Sequence, residues 1–188
     1  MVEVESRRCT LVTGPASSGK SLFAEQLAMA AGRPVTYLAT GPQRPDDRDW
    51  QERLRRHRQR RPETWSCIEV EQELAAALRN CSADQLALVD SLGTWVAAAL
   101  ELDAGSWNRR CLELLESIDR TEACLILVAE EAAWGVVPAT AIGGLFRQRL
   151  GQLLQDLMPS CDAAWLVMHG RAIDLLAISQ PVTPQQAP

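Results

Sequence analysis

Eight residues near the N-terminus, Gly14-Pro15-Ala16-Ser17-Ser18-Gly19-Lys20-Ser21, fit the phosphate-loop pattern G-x-x-x-x-G-K-[ST]. Glycines at 14 and 19 let the backbone curl until successive N–H groups face one oxyanion, and a helix starting there adds the positive end of its dipole. Lys20 would then reach the β- and γ-phosphates of a nucleoside triphosphate, and the Ser21 hydroxyl would ligate Mg²⁺. Lys20 is the only lysine among the 19 basic residues of the chain, and the loop is where a compact ammonium on a long stem is required. A second acid should hold the metal. Asp90, which closes the apolar run LALVD, stands where that carboxylate usually lies, although it could instead cap a helix starting near Ser91. Asp90-Ser91-Leu92-Gly93 also fits the D-x-x-G switch of regulatory GTPases. That class needs a later N-K-x-D, and the only asparagines, Asn80 and Asn108, precede Cys81 and Arg109, so the switch reading fails.

A second cluster lies between Asp46 and Pro62, where DDRDWQERLRRHRQRRP places six arginines and His57 within residues 53–61. The plainest reading of a charge run is a solvated helix face. Like charges at i,i+3 and i,i+4 nevertheless destabilise a helix unless an anion offsets them, and a nucleotide polyphosphate would do so. RNA would also serve, but stacking aromatics are sparse. Positive neighbours favour the neutral, nucleophilic imidazole of His57 and could neutralise charge on a phosphorus under attack.

The elements that must hold these groups follow from hydrophobic patterning. Apolar runs rich in β-branched residues recur at 9–13, 35–39, 86–90, 124–128 and 164–168, with a weaker one at 65–70. Continuous runs of this length suit strands buried on both faces of a mainly parallel sheet. Helical patterns separate them: 19–31, stopping at Gly32, and 139–158, ending at Pro159. Alternating strands and helices predict a three-layer α/β domain over residues 1–177, with a disordered tail from 178 that holds three prolines.

Composition narrows the function classes. A chain of 188 residues with 47% hydrophobic residues has room for one buried core, and no apolar run is long enough to span a bilayer. The N-terminus does not have the pattern of a signal peptide, so a cytoplasmic protein is expected. A net charge of −5 argues against nucleic-acid partners. The six cysteines contain no C-x-x-C pair and, with two histidines, cannot build a zinc site; they read as reduced core thiols.

GPASSGKSLFAEQLA, VTYLAT, ERLRRHRQRRPETW, LALVDSLGTW and GVVP occur in this order. Together they resemble the bifunctional adenosylcobinamide kinase/adenosylcobinamide-phosphate guanylyltransferase family of cobalamin biosynthesis, over roughly residues 9–170. The segment R-x-x-R-H-R-x-x-R-P-x-x-W is its most specific part. The resemblance implies a P-loop NTPase fold and a homotrimer. It implies phosphorylation of the aminopropanol hydroxyl of adenosylcobinamide by ATP or GTP, then GMP transfer from GTP to the new phosphate through a guanylyl-histidine, giving adenosylcobinamide-GDP. His57 matches the family's histidine, so by resemblance it attacks the α-phosphorus of GTP and expels pyrophosphate, with Mg²⁺ and Lys20 stabilising the leaving group. Arg58 and Glu69 join the expected nucleotide-binding residues.

The chain departs from the family in AEEAAWGVVPAT, where S-N-E-V-G-x-G-I-V-P-E-N is usual. Glu131, Gly135 and Pro138 are kept, whereas the asparagine becomes Glu130, the first glycine Ala133, and the final E-N Ala139-Thr140. Negative charge at Glu130 is unfavourable beside a polyphosphate unless metal-bound. The ending VMHGRAIDL introduces His169, which reads as a strand-end surface residue. Two other readings stand beside the bifunctional enzyme: a kinase with only one of the two activities, and a non-enzymatic nucleotide- or RNA-binding regulatory module.

Overall fold

The strongest apolar runs form the middle of one sheet. A computed structural model describes residues 8–42, 46–70, 73–132, 134 and 138–182, and the side chains of Asp49, Trp50, Arg53 and His57 lie outside the described part. Strands β1 (Cys9–Gly14), β2 (Val35–Ala39), β3 (Ser66–Glu69), β4 (Leu86–Asp90), β5 (Cys124–Glu130) and β6 (Ala163–Met168) lie parallel in the order β3-β2-β4-β5-β1-β6. All six match predicted runs. A seventh strand, β7 (Arg171–Asp174), pairs antiparallel with β6 at the edge and was not foreseen. Only one face of it is half-buried, so RAID lacks the continuous apolar run that marks the inner strands.

Helices cover both faces of the sheet, as the three-layer expectation requires. Successive strand residues point to opposite sides. Val12, Leu88, Ile126 and Val128 meet Ala24 and Leu27 of α1 (Lys20–Ala30). Leu11, Val89 and Leu127 pack with Leu74 of α3 (Leu74–Arg79), Trp95 of α4 (Leu92–Ala97), Leu114 of α5 (Ala104–Arg120) and Leu150 of α6 (Ala141–Leu157). Helix α1 stops where predicted, before Gly32, whose φ of 64° is the left-handed conformation glycine supplies at a helix end. Helix α6 starts at Ala141, because the Thr140 hydroxyl accepts from the Gly143 N–H, and Pro159 lies in the short 3₁₀ turn Met158–Ser160 that follows.

The arginine-rich segment is helix α2 (Arg48–Arg60), beside the exposed edge strand β3. A short helix α7 (Leu175–Ile178) reaches one residue into the expected tail; 179–182 are exposed without regular structure, and 183–188 lie outside the described residues.

All six cysteines are free. The core-thiol expectation holds for Cys9, whose sulfur lies 3.8 Å from that of Cys161; this hydrogen bond, followed by burial, pushes the Cys9 thiol far above its ordinary range. It fails for Cys67, which is exposed because β3 is an edge strand with little covering it.

Candidate functional site

The phosphate loop joins β1 to α1, the strand-loop-helix context the motif requires. A Cβ on Gly14 would run into the backbone carbonyl of Val167, so only glycine lets the loop leave β1 this close to β6. Gly19 has φ 98° and starts α1 from a left-handed conformation. The Ser18 N–H donates to the Pro15 carbonyl at 3.3 Å, and the Gly170 N–H, from the turn between β6 and β7, donates to the Ser18 carbonyl at 3.0 Å. That turn braces the loop from outside the motif. Lys20 is the first residue of α1; it is buried, and its ammonium donates to the Pro15 carbonyl at 3.4 Å.

Ala16, Lys20, Ser21, Arg58, Glu69 and Asp90 line one cleft of about 190 Å³ at the C-terminal end of the sheet. The fold thus brings together residues from the loop, β4, β3 and α2. Gly14, Pro15, Ser17, Ser18 and Gly19 make the loop beside it. The cap role considered for Asp90 belongs instead to Ser91, whose hydroxyl accepts from the Thr94 N–H at the start of α4. Asp90 Oδ2 accepts a hydrogen bond from the Tyr37 hydroxyl at 2.8 Å. Burial first, and the Asp90 charge second, push the Tyr37 phenol well above its usual pKa.

Glu130, the departure noted in the sequence, enters the same cleft. It ends β5 opposite Gly14, and its Oε1 accepts from the Ser91 hydroxyl at 2.7 Å. Its Oε2 is buried without a hydrogen-bond partner and fills the space a Cβ on Gly93 would take. Gly93 therefore makes room for the extra carboxylate.

Part of the charge of α2 is offset from within the protein: carboxylates pair with four of its arginines. Glu52 meets Arg55 at 2.7 Å and Arg56 at 2.9 Å, and these hydrogen bonds lower its pKa to about 2. Arg58 pairs with Glu69 at 3.0 Å, so two predicted nucleotide contacts hold each other. Arg60 forks onto Glu25 of α1, Nε to Oε2 at 3.0 Å and Nη2 to Oε1 at 3.2 Å. The next residue, Arg61, lies over the Tyr37 ring at 3.3 Å. Position 57 lies in the last turn of α2, and the His57 side chain lies outside the described residues. His169 sits exposed in the β6–β7 turn, in keeping with the surface reading.

Sequence reasoning missed Tyr37 and Glu25. Glu25 had a readable signal: it adjoins Ala24 and precedes Leu27 and Ala28 on the buried side of α1, where a carboxylate demands a cationic partner. Tyr37 lies in an apolar strand run and gave none.

Among the described residues no three His, Cys, Asp or Glu side chains gather as a metal cage. Ser21 and Asp90 on one cleft are instead the hard oxygen donors that suit magnesium shared with substrate phosphates. No helix among the described residues is long and apolar enough to cross a membrane.

The fold resembles two solved secretion ATPases. A prototypical ATPase of a bacterial type III secretion system matches with a TM-score of 0.52 at 10% identity, over 85% of this chain and 50% of that one. The ATPase EscN of enteropathogenic E. coli matches at 0.53 and 11%, over 87% and 43%. Both likenesses concern the P-loop NTPase fold alone. Sequence relatives are nearer. The bifunctional adenosylcobalamin biosynthesis protein CobP of Pseudomonas aeruginosa is 33% identical over 167 residues, covering 88% of this chain and 95% of the relative. CobU of Escherichia coli K12, a bifunctional adenosylcobalamin biosynthesis protein too, is 31% identical over 180 residues, covering 88% and 98%. The family model described as cobinamide kinase / cobinamide phosphate guanyltransferase matches residues 10–175, and with these relatives it makes the chain a member of that transferase family.

Proposed function

We propose that this protein phosphorylates adenosylcobinamide with ATP or GTP at the phosphate loop and then transfers GMP from GTP to the product through a covalent intermediate on His57. The observation that carries this reading is the single cleft that joins Lys20, Ser21 and Asp90 to Arg58, the residue after His57. In the first reaction the backbone N–H groups of the loop and Lys20 hold the β- and γ-phosphates while the acceptor hydroxyl oxygen bonds to the γ-phosphorus; the bond to the β–γ bridging oxygen breaks, nucleoside diphosphate leaves, and the hydroxyl proton passes to solvent. Ser21 and Asp90 would hold magnesium, which when bound supplies positive charge to the phosphates.

In the second reaction an imidazole nitrogen of His57 bonds to the α-phosphorus of GTP as the bond to the bridging oxygen breaks, and pyrophosphate leaves. A phosphate oxygen of the phosphorylated cobinamide then displaces the histidine, giving the GDP-linked product and free enzyme. Arg58 supplies charge beside the reacting phosphorus, and Glu69 orients Arg58 through their ion pair. A homotrimer working in the cytoplasm is the setting the family resemblance implies; sedimentation equilibrium at three times the 20.7 kDa chain mass would show the trimer.

Incubation with GTP labelled at the α-phosphate tests the central step. The protein should carry label in an acid-labile, base-stable bond, and His57→Ala should carry none. Label that persists in His57→Ala removes the role assigned to that residue.

A further inference from the structure

Among the described ion pairs of α2, one has a buried partner. The Glu52 pairs with Arg55 and Arg56 are internal to the helix, and the Arg58–Glu69 pair is exposed on both sides. Exposed pairs of this kind contribute little to holding an element in place. The Arg60–Glu25 pair differs: the Glu25 side chain is 3% exposed, and two nearly parallel N–H···O bonds fix the orientation of the guanidinium. A forked pair constrains angle as well as distance. Arg61 Nε comes within 4.0 Å of the same carboxylate, with its side chain 10% exposed. Both arginines therefore gather on one buried acid of the helix that begins with Lys20.

Position 57 lies three residues before Arg60, on the same side of α2 and about 4.5 Å along its axis. A rigid grip at Arg60 sets where the His57 turn stands relative to α1 and the nucleotide phosphates. We propose that Glu25 and Arg60 are positioning residues for guanylyl transfer, a clamp that holds the His57 turn of α2 against the phosphate-loop helix. This inference rests on the reading of His57 as the guanylylated residue. Neither clamp residue touches substrate in this role. The clamp matters for the reaction that needs α2 in register with the loop, and much less for phosphoryl transfer to a hydroxyl, which uses the loop itself. Misplacing a reacting group by about 1 Å can cost about 10²-fold in rate.

The test compares both half-reactions in Arg60→Gln, Glu25→Gln and the double variant of the full-length protein. At saturating GTP, each single change should slow covalent GMP labelling by about 10- to 100-fold. Arg60→Gln should leave kcat for cobinamide phosphorylation within about threefold, because the loop is intact. The double variant should label no more slowly than the slower single, since the two residues act as one unit. Arg60 is itself partly exposed, so Arg60→Gln decides the matter even if Glu25→Gln fails to fold. Labelling within about threefold of the parent in Arg60→Gln, or an equal loss of both half-reactions, overturns the clamp. His57→Ala run in parallel separates the two ideas: label retained there sinks the histidine assignment, whereas label lost there but preserved in Arg60→Gln sinks the clamp alone.

Discussion

At the phosphate loop the chain keeps its shape by backbone. Gly14 passes close against the Val167 carbonyl, Gly170 donates to Ser18, and α1 starts from a left-handed glycine between buried strands. At α2, across the same cleft, the shape depends on side chains: guanidinium groups paired with Glu52, Glu69 and Glu25, beside an edge strand that is exposed along its length. The loop is a fixed cradle because neighbouring backbone leaves it no alternative. The arginine helix is held by charge, which is strong only where Glu25 is buried. On the proposed reading, in which His57 is a second acceptor, the cradle stays constant and control of that acceptor is concentrated in a few ion pairs.

This contrast can be broken most severely at Gly14. Gly14→Ala forces a methyl group into the Val167 carbonyl, which as backbone cannot rotate away. It should cost about 1–3 kcal/mol or more in stability and abolish nucleotide binding. A thermal melt and a fluorescent-nucleotide titration would check both; an alanine variant that binds normally would mean the loop is more yielding than the packing requires.

Smaller effects should appear where the two regions meet. Tyr37 takes the Arg61 guanidinium on its ring and donates to Asp90. Tyr37→Phe leaves Asp90 Oδ2 without this donor, and the Mg²⁺ concentration for half-maximal phosphorylation should rise about tenfold, the low end for loss of an outer-shell partner. An unchanged Mg²⁺ requirement would separate Asp90 from the metal.

The mildest test is spectroscopic. Tyr37 is the only tyrosine, so tyrosinate absorbance reports it alone. Its folded pKa is raised by burial and then by Asp90, so the neutral phenol contributes stability that is fully present below about pH 10 and lost as pH rises through the folded value. Absorbance should stay flat past pH 10 and then rise together with unfolding. A free titration near pH 10 would show that Tyr37 is not enclosed between Arg61 and Asp90.

The phosphate loop was legible because its chemistry needs glycines and a lysine at fixed spacing, and the six parallel strands because burial on both faces demands unbroken apolar runs. Strand β7 escaped because an edge needs neither. The carboxylates that meet the arginine run escaped for a related reason: periodicity reveals like charges along a helix but not the acids that face them from β3 and α1. Glu130 was noticed as a departure, yet its neighbours Ser91 and Gly93, on a different strand-to-helix connection, became visible only when β4 and β5 lay side by side.

Local pattern therefore determined the phosphate-binding loop and the layers of the domain, since each is encoded by residues close together in the chain, while resemblance to the family singled out His57 as the candidate histidine. Tertiary structure alone decided that Asp90 is oriented by Tyr37, that Glu130 shares the cleft, and that Glu25 grips Arg60 across 35 residues. Pairings between distant segments depend on which faces the sheet order brings together, and no spacing within one segment specifies that.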